Sequence, residues 1–253
     1  FAQVAEMGIQ GLELVWTEGT TVDQVAAALA PHGLRLTSLH AQCPLEDDAL
    51  PAVLGQRAAQ AADLGATYLF VSAHAGEMSK QEACERLRRL GDAVATNQVY
   101  LAMETHPDLC QNAANMLETM AGVDHPWVGI NYDTANVLYY NEGVDTVGQL
   151  ERVTDHVRGV HFNDTCGKFK DGNFPVFGEG VVDFAAVDQV LTSGGYTGPC
   201  DVALELCWSD LHILWSLYCD DLPAVWCTVY SDIWCALCAS RRSDYYRLYI
   251  GCM

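Results

Sequence analysis

The chain has 253 residues, half of them hydrophobic, with 33 acidic side chains against 13 basic ones and a formal net charge of −20. This composition excludes a disordered, collagen-like or linker chain. So acidic a protein repels phosphate backbones and anionic lipids, so neither nucleic acid nor a membrane is the expected partner, and no apolar window is long enough to span a bilayer. The 11 cysteines are uneven, with five in residues 1–206 and six in the last 47. An odd count without paired spacing speaks against a disulfide scaffold. With no basic leader to read, a reducing cytoplasm is the expected location.

The elements repeat with a period of about 30 residues. Residues 1–7 read as the end of a helix, followed by an apolar strand at 11–15. A helix over 21–32 opens with Thr21 and Gln24 at capping-box spacing and stops at Gly33. A strand at 34–40 leads to an Ala-rich helix at 49–64, then a strand at 67–73. Ser79 and Glu82 open a helix over 79–95, and a strand follows at 99–104. A helix at 111–121, a strand at 128–133, a helix at 144–156, a strand at 157–162, a helix at 183–192 and a strand at 201–206 complete the series.

The strands are continuous apolar runs, as expected where both faces of a parallel sheet are covered. Strand–helix alternation over the whole body predicts an α/β fold with right-handed crossovers. Nearly every strand carries a chemically capable residue at its end: Glu13, His40, His74, Glu104, Asp133, His161 and Glu205. In a (β/α)8 barrel all these ends meet at one mouth, whereas an open sheet concentrates ligands at one switch point behind a Gly-rich turn, and no such turn is present. A barrel is predicted. Because only seven strands are counted, the first strand is expected to be missing, leaving the strands at 11–15 and 201–206 with bare edges.

Glu104, Asp133, His161 and Glu205 offer three carboxylates and an imidazole, a donor set for Mn²⁺ or Mg²⁺, with Zn²⁺ or Co²⁺ next. The phrases around them, LAMETHPD (101–108), INYDTANV (130–137), VRGVHFND (157–164), FPVFGEG (174–180) and GYTGP (195–199), resemble the sugar phosphate isomerase/epimerase family with a xylose-isomerase-like TIM barrel. GLELVW (11–16) and LTSLHAQ (36–42) also resemble that family's early strands. The resemblance covers about residues 1–206, expected to form a single barrel domain.

The resemblance implies a divalent metal on Glu104, Asp133, His161 and Glu205, with Glu104 and Glu205 exchanging a proton on opposite faces of the carbon beside a substrate carbonyl. It also implies substrate contacts from His40, His74, Asn136 and Lys168. Two positions depart from the family pattern: Asn136 stands where relatives often carry His, and Glu205 lies two residues beyond the usual ligand place, here Ala203. Three other readings stay open: an inosose-type dehydratase on the same site, a phosphodiesterase of the endonuclease IV type, and an inactive barrel fragment. Residues 207–253 hold four of the six Trp, no Glu and no Lys. They read either as an unusual packed or metal-binding segment, with Cys235 and Cys238 as a lone C-x-x-C, or as sequence foreign to the protein. Cys-driven homo-oligomers on oxidation are a further expectation.

Overall fold

The computed structural model describes residues 1–6, 8–17, 19–175, 177–205, 212–218 and 248–251, with side chains through Val202 apart from Gln3. Seven parallel strands run in chain order around a barrel: β1 (Gly11–Val15), β2 (Arg35–His40), β3 (Tyr68–Val71), β4 (Tyr100–Glu104), β5 (Val128–Asp133), β6 (Val157–Phe162) and β7 (Pro199–Glu205). Helix α1 (Ala2–Glu6) precedes β1, and helices α2 (Val22–Leu29), α3 (Leu50–Asp63), α4 (Lys80–Ala95), α5 (Ala113–Val123), α6 (Asn136–Tyr139), α7 (Thr146–Glu151) and α8 (Phe184–Ser193) lie between the parallel strands in sequence. Among the described residues no helix is long and apolar enough to cross a membrane.

The helix starts follow from local chemistry. Thr21 and Gln24 form the reciprocal capping box of α2, and Ser79 accepts from the Glu82 amide at the start of α4. Asn112 and Asp183 cap α5 and α8 in the same way. After α2 a short 3₁₀ turn ends at Gly33, whose φ of 68° is left-handed and suits glycine.

Alternation within each strand sends one set of side chains outward to the helices and the other into the barrel. Leu12, Leu39, Leu69, Leu101, Met103 and Ile130 belong to the main core, which also includes Leu54 of α3, Leu87 of α4 and Met116 of α5. Truncating a fully buried leucine such as Leu54 to alanine in such a layer costs about 2–5 kcal/mol. The inward set differs: a small cluster of Tyr68, Phe70 and Ala102 sits with buried polar groups. Gly159 makes room for it, since a Cβ there would lie 2.6 Å from the Tyr68 ring.

The pairing of β1 with β2 is irregular. Leu12 faces Leu36 and Glu13 faces Ser38, so Thr37 is an extra residue in β2, a β-bulge. Thr37 and Ser38 both bond interior carboxylates as a result: Thr37 reaches Asp201 and Ser38 reaches Glu13.

The expectation of bare edges on β1 and β7 is corrected. Two further strands, β8 (His212–Tyr218) and β9 (Leu248–Gly251), close the sheet. β8 pairs antiparallel with β7, β9 pairs antiparallel with β1, and β8 and β9 are parallel to each other. Neither is parallel to its barrel neighbour, so the closure departs from eightfold parallel geometry. The Cys235–Cys238 motif lies outside the described residues.

Candidate active site

Glu104 and Asp133 are the last residues of β4 and β5, and His161 is the penultimate residue of β6. The register sets Asp133 beside His161 and Glu104 beside Asn131, so three adjacent strands deliver their ends to one place. One ligand atom from each of the three residues lies within 4.8 Å of the others. The His161 Nδ1 is 3.7 Å from Glu104 Oε1 and 3.9 Å from Asp133 Oδ2.

Each carboxylate is held by its other oxygen. Asp133 Oδ1 accepts the backbone amides of Ala135 (2.9 Å) and Asn136 (2.7 Å), leaving Oδ2 turned to the imidazole. Glu104 Oε2 accepts from Ser72 Oγ (2.6 Å) and lies 2.9 Å from His106 Nε2. Its Oε1 faces His161 and the Asn136 amide nitrogen at 3.4 Å. One oxygen of each carboxylate and one ring nitrogen therefore converge, which is donor chemistry that suits a divalent cation.

Burial alone disfavours ionised Glu104, but contacts with His106 and His161 outweigh it and hold the carboxyl well below the usual range. Burial pushes Asp133 up to about 6, with the charge of His161 and the two backbone amides working against it and Glu104 adding to it. Burial opposes the His161 cation, yet Glu13 and Glu104 raise its pKa well above the ordinary histidine value. In the metal-free protein, an imidazolium thus sits among carboxylates.

Beneath this cluster lies a second layer, which joins Glu13 to Asp201, a residue with no signal of its own in the sequence. Glu13 is not at a strand end but in the middle of β1, fully buried, with Oε1 3.5 Å from His161 Nε2. Asp201 of β7 completes a group with Glu13 and His161 within 4.8 Å. Its oxygens accept from Thr37 (3.2 Å) and Tyr68 (2.7 Å). The single-turn helix α6, which carries Asn136, was also unread, as was Asp164. The Asp164 carboxylate accepts the amides of Gly178 and Gly180 (2.8 Å each) and pins the loop after β6.

The expected substrate contacts are placed variously. Asn136 is buried against Glu104. His40 packs on Phe70 at 4.8 Å, and Phe70 packs on His161 at 4.6 Å. His74 bonds the Pro107 carbonyl and packs at a tilt 5.6 Å from His106, which packs at a tilt on Tyr140. Lys168 is 77% exposed and pairs with Asp171 at 4.0 Å. Glu205 ends β7, but its side chain lies outside the described residues.

Residues 1–211 match the family described as xylose isomerase-like TIM barrel. The chain belongs to that family. Within this xylose isomerase-like family, L-ribulose-5-phosphate 3-epimerase from Salmonella typhimurium is 29% identical over 205 residues, covering 74% of this chain and 69% of the epimerase. The solved structure of an L-ribulose 3-epimerase superimposes with a TM-score of 0.68 at 16% identity, covering 96% of this chain and 92% of that one. A probable 3-DHS dehydratase, AsbF, from Bacillus anthracis gives 0.66 at 18% identity over 95% and 92%. The IOLI protein with a binding zinc atom gives 0.63 at 18% over 79% and 81%. At these identities the structural likenesses establish the shared barrel.

Proposed function

We propose that the chain is a divalent-metal-dependent sugar or cyclitol epimerase or isomerase that moves a proton at the carbon beside a carbonyl. The observation that carries this reading is the meeting of Glu104, Asp133 and His161 at the strand ends of a barrel with sugar epimerases among its relatives. The donor set suits Mn²⁺ or Mg²⁺ first and Zn²⁺ or Co²⁺ next. A bound cation would polarise the carbonyl and the adjacent hydroxyl and acidify the C–H between them.

Glu104 is the base in this reading. Its contacts with His106 and His161 keep it ionised, and Ser72 and His106 fix Oε2 so that Oε1 faces the ligand centre. A carboxylate fixed and buried in this way needs no reorganisation to accept a proton. Glu205 is proposed as the partner acid on the opposite face and as the fourth ligand. Asn136, His40, His74 and Lys168 are proposed to contact the sugar hydroxyls or an anionic substituent.

The likeness to a dehydratase supports one alternative, loss of water after the same proton removal. The phosphodiesterase reading is not favoured, because position 136 carries an amide turned to Glu104 where that enzyme type needs a further metal ligand.

The test is metal analysis of the purified protein, then deuterium wash-in from D₂O with a panel of ketoses, ketose phosphates and inososes. Metal-dependent deuterium at the carbon beside the carbonyl is expected. Turnover that survives chelation and dialysis would overturn the proposal.

A further inference from the structure

We propose that Glu13 is a positioning residue that fixes the tautomer of His161 and so presents Nδ1 to the metal. This rests on the metal-dependent reading above. The imidazole stands between two groups of carboxylates. Nδ1 faces Glu104 and Asp133, and Nε2 faces Glu13 Oε1 at 3.5 Å. A neutral imidazole carries its proton on one nitrogen, and a nitrogen that holds a metal must be bare. If Nδ1 serves the cation, the proton belongs on Nε2, and an acceptor on that side holds it there.

Glu13 is built for this role. It is fully buried, and Ser38 Oγ fixes its Oε2, leaving Oε1 without a hydrogen-bond partner. His161 Nε2, also buried, is likewise without one. These two unpartnered atoms face each other across a gap that a small side-chain adjustment would close to hydrogen-bond length. Asp201 is the competing acceptor, but Thr37 occupies its Oδ1 and Tyr68 its Oδ2. The Phe70 ring against the imidazole limits rotation of the histidine. Carboxylates behind metal-bound histidines orient the ring and raise ligand basicity, and losing one typically costs 10–100-fold in metal affinity.

The experiment uses the whole chain loaded with Zn²⁺, which is diamagnetic. Proton–nitrogen correlation spectra of ¹⁵N-histidine protein read the tautomer of His161, and competition with a chromophoric chelator reads affinity. The wild type is expected to show Nδ1 on the metal and a protonated Nε2. Glu13→Gln, which keeps the shape and removes the charge, is expected to weaken Zn²⁺ binding 10- to 100-fold, while Asp201→Asn stays within about threefold of wild type. A wild type with Nε2 on the metal overturns the inference without any variant, which covers the case of a Glu13→Gln chain that does not fold. So does a folded Glu13→Gln with wild-type affinity, or an Asp201→Asn loss as large as that of Glu13→Gln. A wild type that binds no divalent cation overturns the metal reading itself and this inference with it.

Discussion

Asp201 makes the stability of the protein fall as pH rises toward 8. Its carboxyl is fully buried, and burial, reinforced by the charge of Glu13, pushes it up to about 8. An aspartate in the unfolded chain ionises near 3.9. Between about 4 and about 8, then, the folded chain holds a proton that the unfolded chain has lost. The folded state binds more protons, so stability falls as pH rises through this window and levels off above it. One proton of difference is worth roughly 1.4 kcal/mol per pH unit, and because the folded carboxyl is half titrated near pH 8 the loss from pH 6 to pH 8 is about 2 kcal/mol. Asp133, raised to about 6, and His161, raised well above the ordinary histidine value, also change protonation relative to the unfolded chain in this window, so Asp201 is isolated by comparison with a variant that lacks it. Asp201→Asn removes the titration and keeps the volume. The hydroxyls of Thr37 and Tyr68 can donate or accept, so the amide finds partners in the same cage. Urea unfolding of both proteins in chelator at pH 6, 7 and 8 measures the difference in slope. Wild type should lose about 2 kcal/mol more than Asp201→Asn across that range. Equal slopes would refute the claim that a neutral carboxyl is held in the barrel.

Four other outcomes are expected. Glu104→Gln should lower turnover at least 100-fold, the scale of a lost general base, with weaker metal uptake; steady-state kinetics and metal titration check both. His161→Ala should weaken metal binding at least as much as Glu104→Gln, since it removes the ring nitrogen that faces both carboxylates; calorimetric titration decides this. Dialysis against a strong chelator should abolish activity, and Mn²⁺ should restore it. Gly180→Ala would set a Cβ 2.1 Å from Asp164 Oδ1 and 2.5 Å from the Thr165 carbonyl, so a loss of about 1–3 kcal/mol by denaturant unfolding is expected; a neutral result would mean that the loop is not pinned as described.

The order and type of the seven parallel strands were legible because caps and glycines punctuate each apolar run, and three strand ranges are the same in sequence and structure. The meeting of Glu104, Asp133 and His161 in space follows from residues at parallel strand ends. What escaped the sequence has physical reasons. Glu13 was legible as a carboxylate of the first strand, but its mid-strand place among leucines gives no sign that it faces His161. Asp201 sits next to GYTGP and reads as a strand start, while its partners Thr37 and Tyr68 are 164 and 133 residues away. Helix α6 is one turn long and has no side-chain cap to announce it. The closing strands come from a segment whose composition carries neither strand alternation nor helix punctuation.

The extra residue in β2 shows how such a barrel can be retuned. Leu36 and Ser38 pair with Leu12 and Glu13 as they would in an unbroken ladder, and Thr37 is added between them. The extra residue thus adds a hydroxyl to the interior without turning its neighbours Leu36 and Ser38 to the wrong face. A substitution can only exchange one inward group for another, whereas a single-residue insertion of this kind enlarges the inward set. Strand-level insertions and deletions at this point are therefore a route by which related barrels could vary the hydrogen bonding beneath a shared ligand group while the surrounding core stays as it is.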